Sequence, residues 1–129
     1  FIAQDVFQFL DQQGELQKAS PDKVRKFDLI VIDPPAMAKR KEGMDKLKWA
    51  YWKLLLGSIK LLNPGGYVVL SSCAYHMDVD RMLEAARFAT ADLSVRFRVH
   101  SITYQPPDHP WILQIPETLY LKTIYFQLI

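Results

Sequence analysis

Two apolar runs in this 129-residue chain end on residues that can do chemistry. FDLIVID closes on Asp33 and is cut off by Pro34 and Pro35, while YVVLSSC closes on Cys73. A carboxylate can accept hydrogen bonds from a bound ring, and a thiol can act as a nucleophile. Only the thiolate form attacks, so such a cysteine needs surroundings that favour the anion. Lys39, Arg40 and Lys41 follow the prolines, with Lys46 and Lys48 close behind. That local density can hold a phosphate backbone even in a chain whose formal net charge is only +2. Each feature also has a plainer role: Asp33 as a turn former, Cys73 as a small core hydrophobe, the cations as a solvated loop and helix face. What favours a site is their convergence on one edge of the fold.

That convergence depends on the elements that carry these residues. FDLIVID (27–33) is a continuous apolar run, the pattern of a strand buried on both faces in a parallel sheet. The two prolines end it, because neither can donate to a ladder and Pro35 keeps Pro34 out of the helical region. YVVLSSC (67–73) reads as a second buried strand. Between them, Leu47, Tyr51, Leu54, Leu55, Ile59 and Leu62 keep helical spacing from about 44 to 62, and NPGG closes that helix with a sharp turn. A second amphipathic helix covers 77–92, with Met82, Leu83, Ala86 and Ala89 inward. SVRFRVHSIT and TLYLKTIYFQLI read as strands, joined by the proline-rich QPPDHPWILQIPE. At the start, FIAQ resembles the tail of a strand, and DVFQFLDQQGELQKA a helix capped by Asp5, with Val6, Phe9 and Leu10 on one face and a weak end near Gly14 or just beyond.

Strands alternating with helices imply an α/β fold with a parallel sheet, and the last two strands, with no helix between them, imply one antiparallel edge element. In open sheets of this kind ligands collect at the carboxyl ends of strands. Asp5, Asp33 and Cys73 all stand at such ends.

Half the residues are hydrophobic and 23% are charged, an ordinary balance for one core-forming domain. A single cysteine excludes an intramolecular disulfide, disfavours a thiolate zinc site, and suits a reducing cytoplasmic setting. No apolar stretch reaches the roughly 18 residues of a membrane span, and the N-terminal residues lack the basic start of a signal peptide.

FDLIVIDPPAMAKRK, LLNPGGYVVLSSCAYH and PDHPWILQIPETLYLK together resemble segments of class I S-adenosylmethionine-dependent methyltransferases. More narrowly they resemble the bacterial enzymes that make 5-methylcytosine in large-subunit ribosomal RNA. Those carry a D-P-P-x-[FM]-x-K motif, a P-G-G turn before an S-C strand end, and a D-H-P…P-E-x-x-Y-L-K tail, in that order. The resemblance implies a Rossmann-like sheet with an antiparallel last strand, S-adenosylmethionine as cofactor and ribosomal RNA as partner. It places Cys73 as the nucleophile that adds to cytosine carbon 6 and Asp33 as the acid that grips the cytosine edge. Asp5 and Val6 would hold the adenine, and Asp33, Pro34 and Pro35 would border the cofactor and the flipped base. Lys39, Arg40 and Lys41 would meet RNA phosphates, and His109 of the PDHP segment joins them as an RNA-facing candidate, with packing in its loop as the other role. Met37 fills a slot where the family often has Phe. Glu117 and Lys122 match the tail motif without a derivable role.

The chain departs from that pattern at its start. It opens on Phe1, and its five glycines form no G-x-G pattern after a strand. By analogy it begins at the third strand of the family's sheet, so the first two strands and the glycine-rich cofactor loop lie outside it. The implied sheet is therefore incomplete in its N-terminal half, and its exposed edge is a candidate homodimer contact. Two other functions stay open at this point: a non-catalytic RNA-binding or dimerising module, and methylation of a guanine nitrogen or an exocyclic amine. Cys73 argues against both, since neither needs a thiol there.

Overall fold

The computed structural model describes residues 1–36 and 43–129. Helix α1 spans Val6–Ala19, α2 Met44–Ile59 and α3 Val79–Asp92, and the strands are β1 (Phe27–Ile32), β2 (Leu62–Ser72), β3 (Phe97–Tyr104) and β4 (Lys122–Leu128). The sheet order is β1-β2-β4-β3. β1 and β2 run parallel, with Ile30 opposite Val68 and Ile32 opposite Leu70. β4 is antiparallel to both of its neighbours. The antiparallel last strand is thus present but lies inside the sheet, and β3 takes the edge. The crossover through α3 carries the chain one strand-width past β2 and leaves a slot, which β4 fills with Ile124 and Phe126 fully buried.

Helical spacing places Leu47, Tyr51, Leu54, Leu55 and Ile59 of α2 in the core, where they meet Val68, Leu70, Ile124 and Phe126 of the sheet. Ala85, Ala86 and Ala89, with Met82, form the buried stripe of α3, and their small size lets that helix pack closely on α2. Trp52 fastens the two helices by donating from its indole nitrogen to Asp92 at 2.8 Å.

Only one face of β1 is covered. Ile32 is buried, but Leu29 and Val31 on the opposite face are 56% and 60% exposed. The apolar run signalled two buried faces, yet among the described residues β1 pairs with β2 alone and helices cover a single side.

Three other boundaries differ from expectation. Residues 1–4 form no strand, and α1 begins directly at the Asp5 cap. That helix runs through Gly14 to Ala19, held by Leu10 against α2, while Val6 is exposed rather than packed. The two helices touch at Gly57, where an added Cβ would stand 2.9 Å from Leu10 Cδ1. NPGG does not close α2, which ends at Ile59. It forms an excursion within β2, because Phe27 pairs with Leu62 while Leu29 pairs with Tyr67. Gly65 supplies the positive φ of 79° that this detour needs, and Asn63 donates to the Asp28 carboxylate at 2.8 Å across it. Among the described residues no helix is long and apolar enough to cross a membrane.

Candidate functional site

Asp33 and Cys73 each follow the last residue of one of two adjacent parallel strands, so both leave the sheet at its carboxyl edge. Asp33 is exposed and Cys73 is half-buried. Tyr51 lies beneath them. It is 1% exposed, and its hydroxyl reaches the Ser71 carbonyl at 3.4 Å. Burial pushes its pKa up to about 12; the Ser72 hydroxyl opposes that rise, and the charges of Cys73 and Asp33 add to it. One phenol therefore feels both the acid and the thiol, which brings the two strand ends into one electrostatic neighbourhood. At neutral pH it is an uncharged donor and not a base.

On the β1 side, Asp5, Val6, Asp33, Pro34 and Pro35 line a single cavity of about 620 Å³. Its other walls are mainly apolar and include Phe7, Phe9, Leu29 and Val31. This size and lining suit a flat organic ligand that needs a few polar anchors. Asp5 caps α1 by accepting from the Gln8 amide at 3.1 Å, so one of its oxygens is committed to the helix end and the other is available to a ligand. The residues present fit the adenosine end of S-adenosylmethionine: an aromatic and aliphatic wall, a carboxylate and a free amide at a helix start. A cradle for the amino-acid end is absent from the described lining.

On the β2 side, the chain after Cys73 is tightly held. Ser72 Oγ accepts from the Ala74 amide at 3.3 Å, and Ser71 pairs with Thr123 across the sheet at 3.0 Å. Asp78 caps α3 through the Arg81 amide at 2.8 Å and also pairs with the Arg81 guanidinium. A second cavity of about 620 Å³ opens there, lined by Tyr75, His76, Asp78, Arg81, Tyr104 and Lys122 among others. In the turn after β2 the half-buried His76 ring meets the exposed Tyr75 edge-on at 5.2 Å.

Lys39, Arg40 and Lys41, together with Met37, lie outside the described residues. His109 is exposed in the 105–121 segment and pairs with Asp108 at 3.2 Å, and no described contact ties it to Asp33 or Cys73. That segment is organised by Gln105, whose amide donates to the His109 and Thr118 carbonyls and accepts from the Tyr120 and Leu121 amides. Of the tryptophans, Trp49 and Trp111 are exposed and Trp52 serves the helix pair. Sequence reasoning overlooked Tyr51, Gln105 and the position of Lys122. Tyr51 was hidden by its helical register, which marks it as core. Lys122 was visible as a lysine opening an otherwise apolar strand.

The parallel β1-β2 pair with the last strand inserted antiparallel between β2 and β3 has counterparts among solved structures. A solved protein described as a methyltransferase, in complex with S-adenosylhomocysteine, superposes on 97% of this chain and 30% of its own with a TM-score of 0.76 at 21% identity, which shows the fold. In sequence the chain is similar to the ribosomal RNA large subunit methyltransferase I of Citrobacter koseri, 34% identical over 122 residues, and to that of Yersinia pseudotuberculosis, 34% identical over 125. Each match takes in 95% of this chain, which spans 29% of the relatives' length. No family model matches.

Proposed function

We propose that this chain is the C-terminal part of the catalytic domain of an S-adenosylmethionine-dependent methyltransferase that modifies cytosine carbon 5 in ribosomal RNA. The observation that carries the reading is the pairing of Asp33 and Cys73 at adjacent strand ends above one shared phenol, with Asp33 also bordering the apolar cavity. The relatives' name supports a ribosomal RNA substrate, and the S-adenosylhomocysteine in the structural neighbour supports the cofactor.

The residues present divide the chemistry between them. Bound S-adenosylmethionine supplies an electrophilic methyl group on a sulfonium. Asp5 and the Val6 amide hold the adenine ring, and Pro34 and Pro35 keep the Asp33 turn rigid beside it. The Cys73 thiolate adds to carbon 6 of cytosine, forming a C–S bond and raising the nucleophilicity of carbon 5. Asp33 accepts from the exocyclic edge of the ring and stabilises its protonated form. Once carbon 5 carries the methyl group, loss of its proton to a base expels the Cys73 thiolate and restores the aromatic ring. Lys39, Arg40 and Lys41, separated from the DPP triplet by Ala36, Met37 and Ala38, meet the RNA phosphates, and His109 faces the RNA from the 105–121 segment.

The test is methyl transfer from labelled S-adenosylmethionine to ribosomal RNA by this chain carried in a polypeptide of the relatives' length, followed by digestion to nucleosides. Label in 5-methylcytidine supports the reading. Label in a guanine or exocyclic-amine product that survives Cys73→Ala would replace it, and RNA binding without transfer would leave a binding module.

A further inference from the structure

A lysine head is seldom found in a protein interior, and Lys122, the first residue of β4, is only 5% exposed. Its ammonium donates to the Ala74 carbonyl at 2.6 Å and to the Tyr120 carbonyl at 2.9 Å. Ala74 directly follows Cys73, and Tyr120 belongs to the segment organised by Gln105. Lys122 therefore joins the end of the thiol-bearing strand to the loop that leads into β4. Burial pulls the ammonium below its ordinary range, and the negative charges of Asp78 and then Cys73 oppose that pull. An apolar side chain would fill the space without this desolvation cost, so packing alone does not account for a lysine here.

Several charged or titratable groups share this cavity. Tyr75 and His76 come from the turn after β2, Asp78, Asp80 and Arg81 from the start of α3, and Tyr104 from the end of β3, while Cys73 stands outside this lining, one residue before the Ala74 carbonyl that Lys122 holds. Asp78 is already engaged by Arg81. Beside Asp78, the thiolate of Cys73 is the other anion whose charge reaches the buried ammonium. Two carbonyl acceptors orient the ammonium but do not neutralise it, so it keeps a net positive field.

We propose that Lys122 is a positioning residue for Cys73: it pins the carbonyl that follows the thiol and holds a buried positive charge within electrostatic reach of the thiolate. This rests on the reading of Cys73 as the nucleophile and adds the group that readies it.

Because Cys73 is the only cysteine, its alkylation by iodoacetamide can be followed by intact mass across a pH series without interference. The midpoint of that profile reports the balance between thiol and thiolate, independently of how open the site is. In Lys122→Met it is expected to move up by at least about half a pH unit, roughly a threefold loss of thiolate at fixed pH, while Lys122→Arg stays within about 0.2 of the parent. Lys122→Gln keeps a donor without the charge and should move with Met, so it carries the comparison should Met fail to give a cooperative melt. Midpoints unmoved in both Met and Gln, or moved equally in Arg, overturn the proposal. The readout involves no methyl transfer. Cytosine methylation persisting in Cys73→Ala would remove the nucleophile reading whatever the alkylation profile shows.

Discussion

The two strand ends that make up the candidate site are built in opposite ways. Around Asp33 the walls are apolar and open: Leu29 and Val31 face solvent, one side of β1 has no neighbour among the described residues, and the cavity beside it is framed by α1 and two prolines. Around Cys73 the chain is cinched by polar contacts from Ser71, Ser72 and Lys122, and Gln105 holds the segment that Lys122 ties to it. One region offers surface for a flat ligand to cover, and the other fixes the atom proposed to react. Binding a ring needs area and a few anchors, whereas nucleophilic attack needs a side chain already aimed, so the hydrogen bonds gather where position matters.

That contrast can be broken or sharpened by substitution. The largest effect is expected at Tyr51, which sits under both ends. Its folded pKa of about 12 lies above the unfolded value near 10, so the native state keeps a proton that the unfolded chain gives up. This favours folding below pH 10 and is lost as pH rises towards 12. Relative to Tyr51→Phe, the parent should lose about 2–3 kcal/mol across that window, as measured by urea unfolding at each pH. Equal pH dependence in the two proteins would deny the phenol its buried place.

A smaller cost is expected on the Cys73 side. Gln105→Ala leaves two carbonyls and two amides to find water, and should destabilise the chain by about 1–2 kcal/mol in the same assay. It should also raise amide exchange at Tyr120 and Leu121. Asp5→Ala removes the α1 cap and should cost about 1 kcal/mol, with a matching loss of helical signal. The least effect is expected at the open wall, where Val31→Lys should stay within about 0.5 kcal/mol of the parent because that side chain is already in solvent. A loss as large as that of Gln105→Ala would mean that the exposed face of β1 is covered in solution.

The same contrast explains which parts could be read from residues alone. Periodicity located α2 and α3 because their buried stripes are long, and the apolar runs located β1 and β2 to within a few residues. An apolar run does not say which neighbours are present, so Leu29 and Val31 read as buried although none of the described residues covers them. The lack of a helix between the last two strands marked an antiparallel element at the edge and not in the interior, since the place of β4 depends on how far the α3 crossover carries the chain. Asp33 and Cys73 were legible because chemistry-bearing types at strand ends are conspicuous. Tyr51 and Lys122 were not, because their roles come from contacts that join residues 20 or more positions apart. The basic triplet at Lys39, Arg40 and Lys41 lies outside the described residues and stands on its charge alone.

The central claim is that the thiol at the end of β2 attacks the pyrimidine ring. RNA in which 5-fluorocytidine replaces cytidine tests it directly, since fluorine at carbon 5 cannot leave as a proton and the adduct is trapped. Incubated with S-adenosylmethionine and this chain in a polypeptide of the relatives' length, such RNA should give a covalent complex that survives denaturation. Peptide mapping should place the link on Cys73, and Cys73→Ser should form none. Methyl transfer to ordinary RNA with no trapped complex, or a link mapped to another residue, would contradict the account.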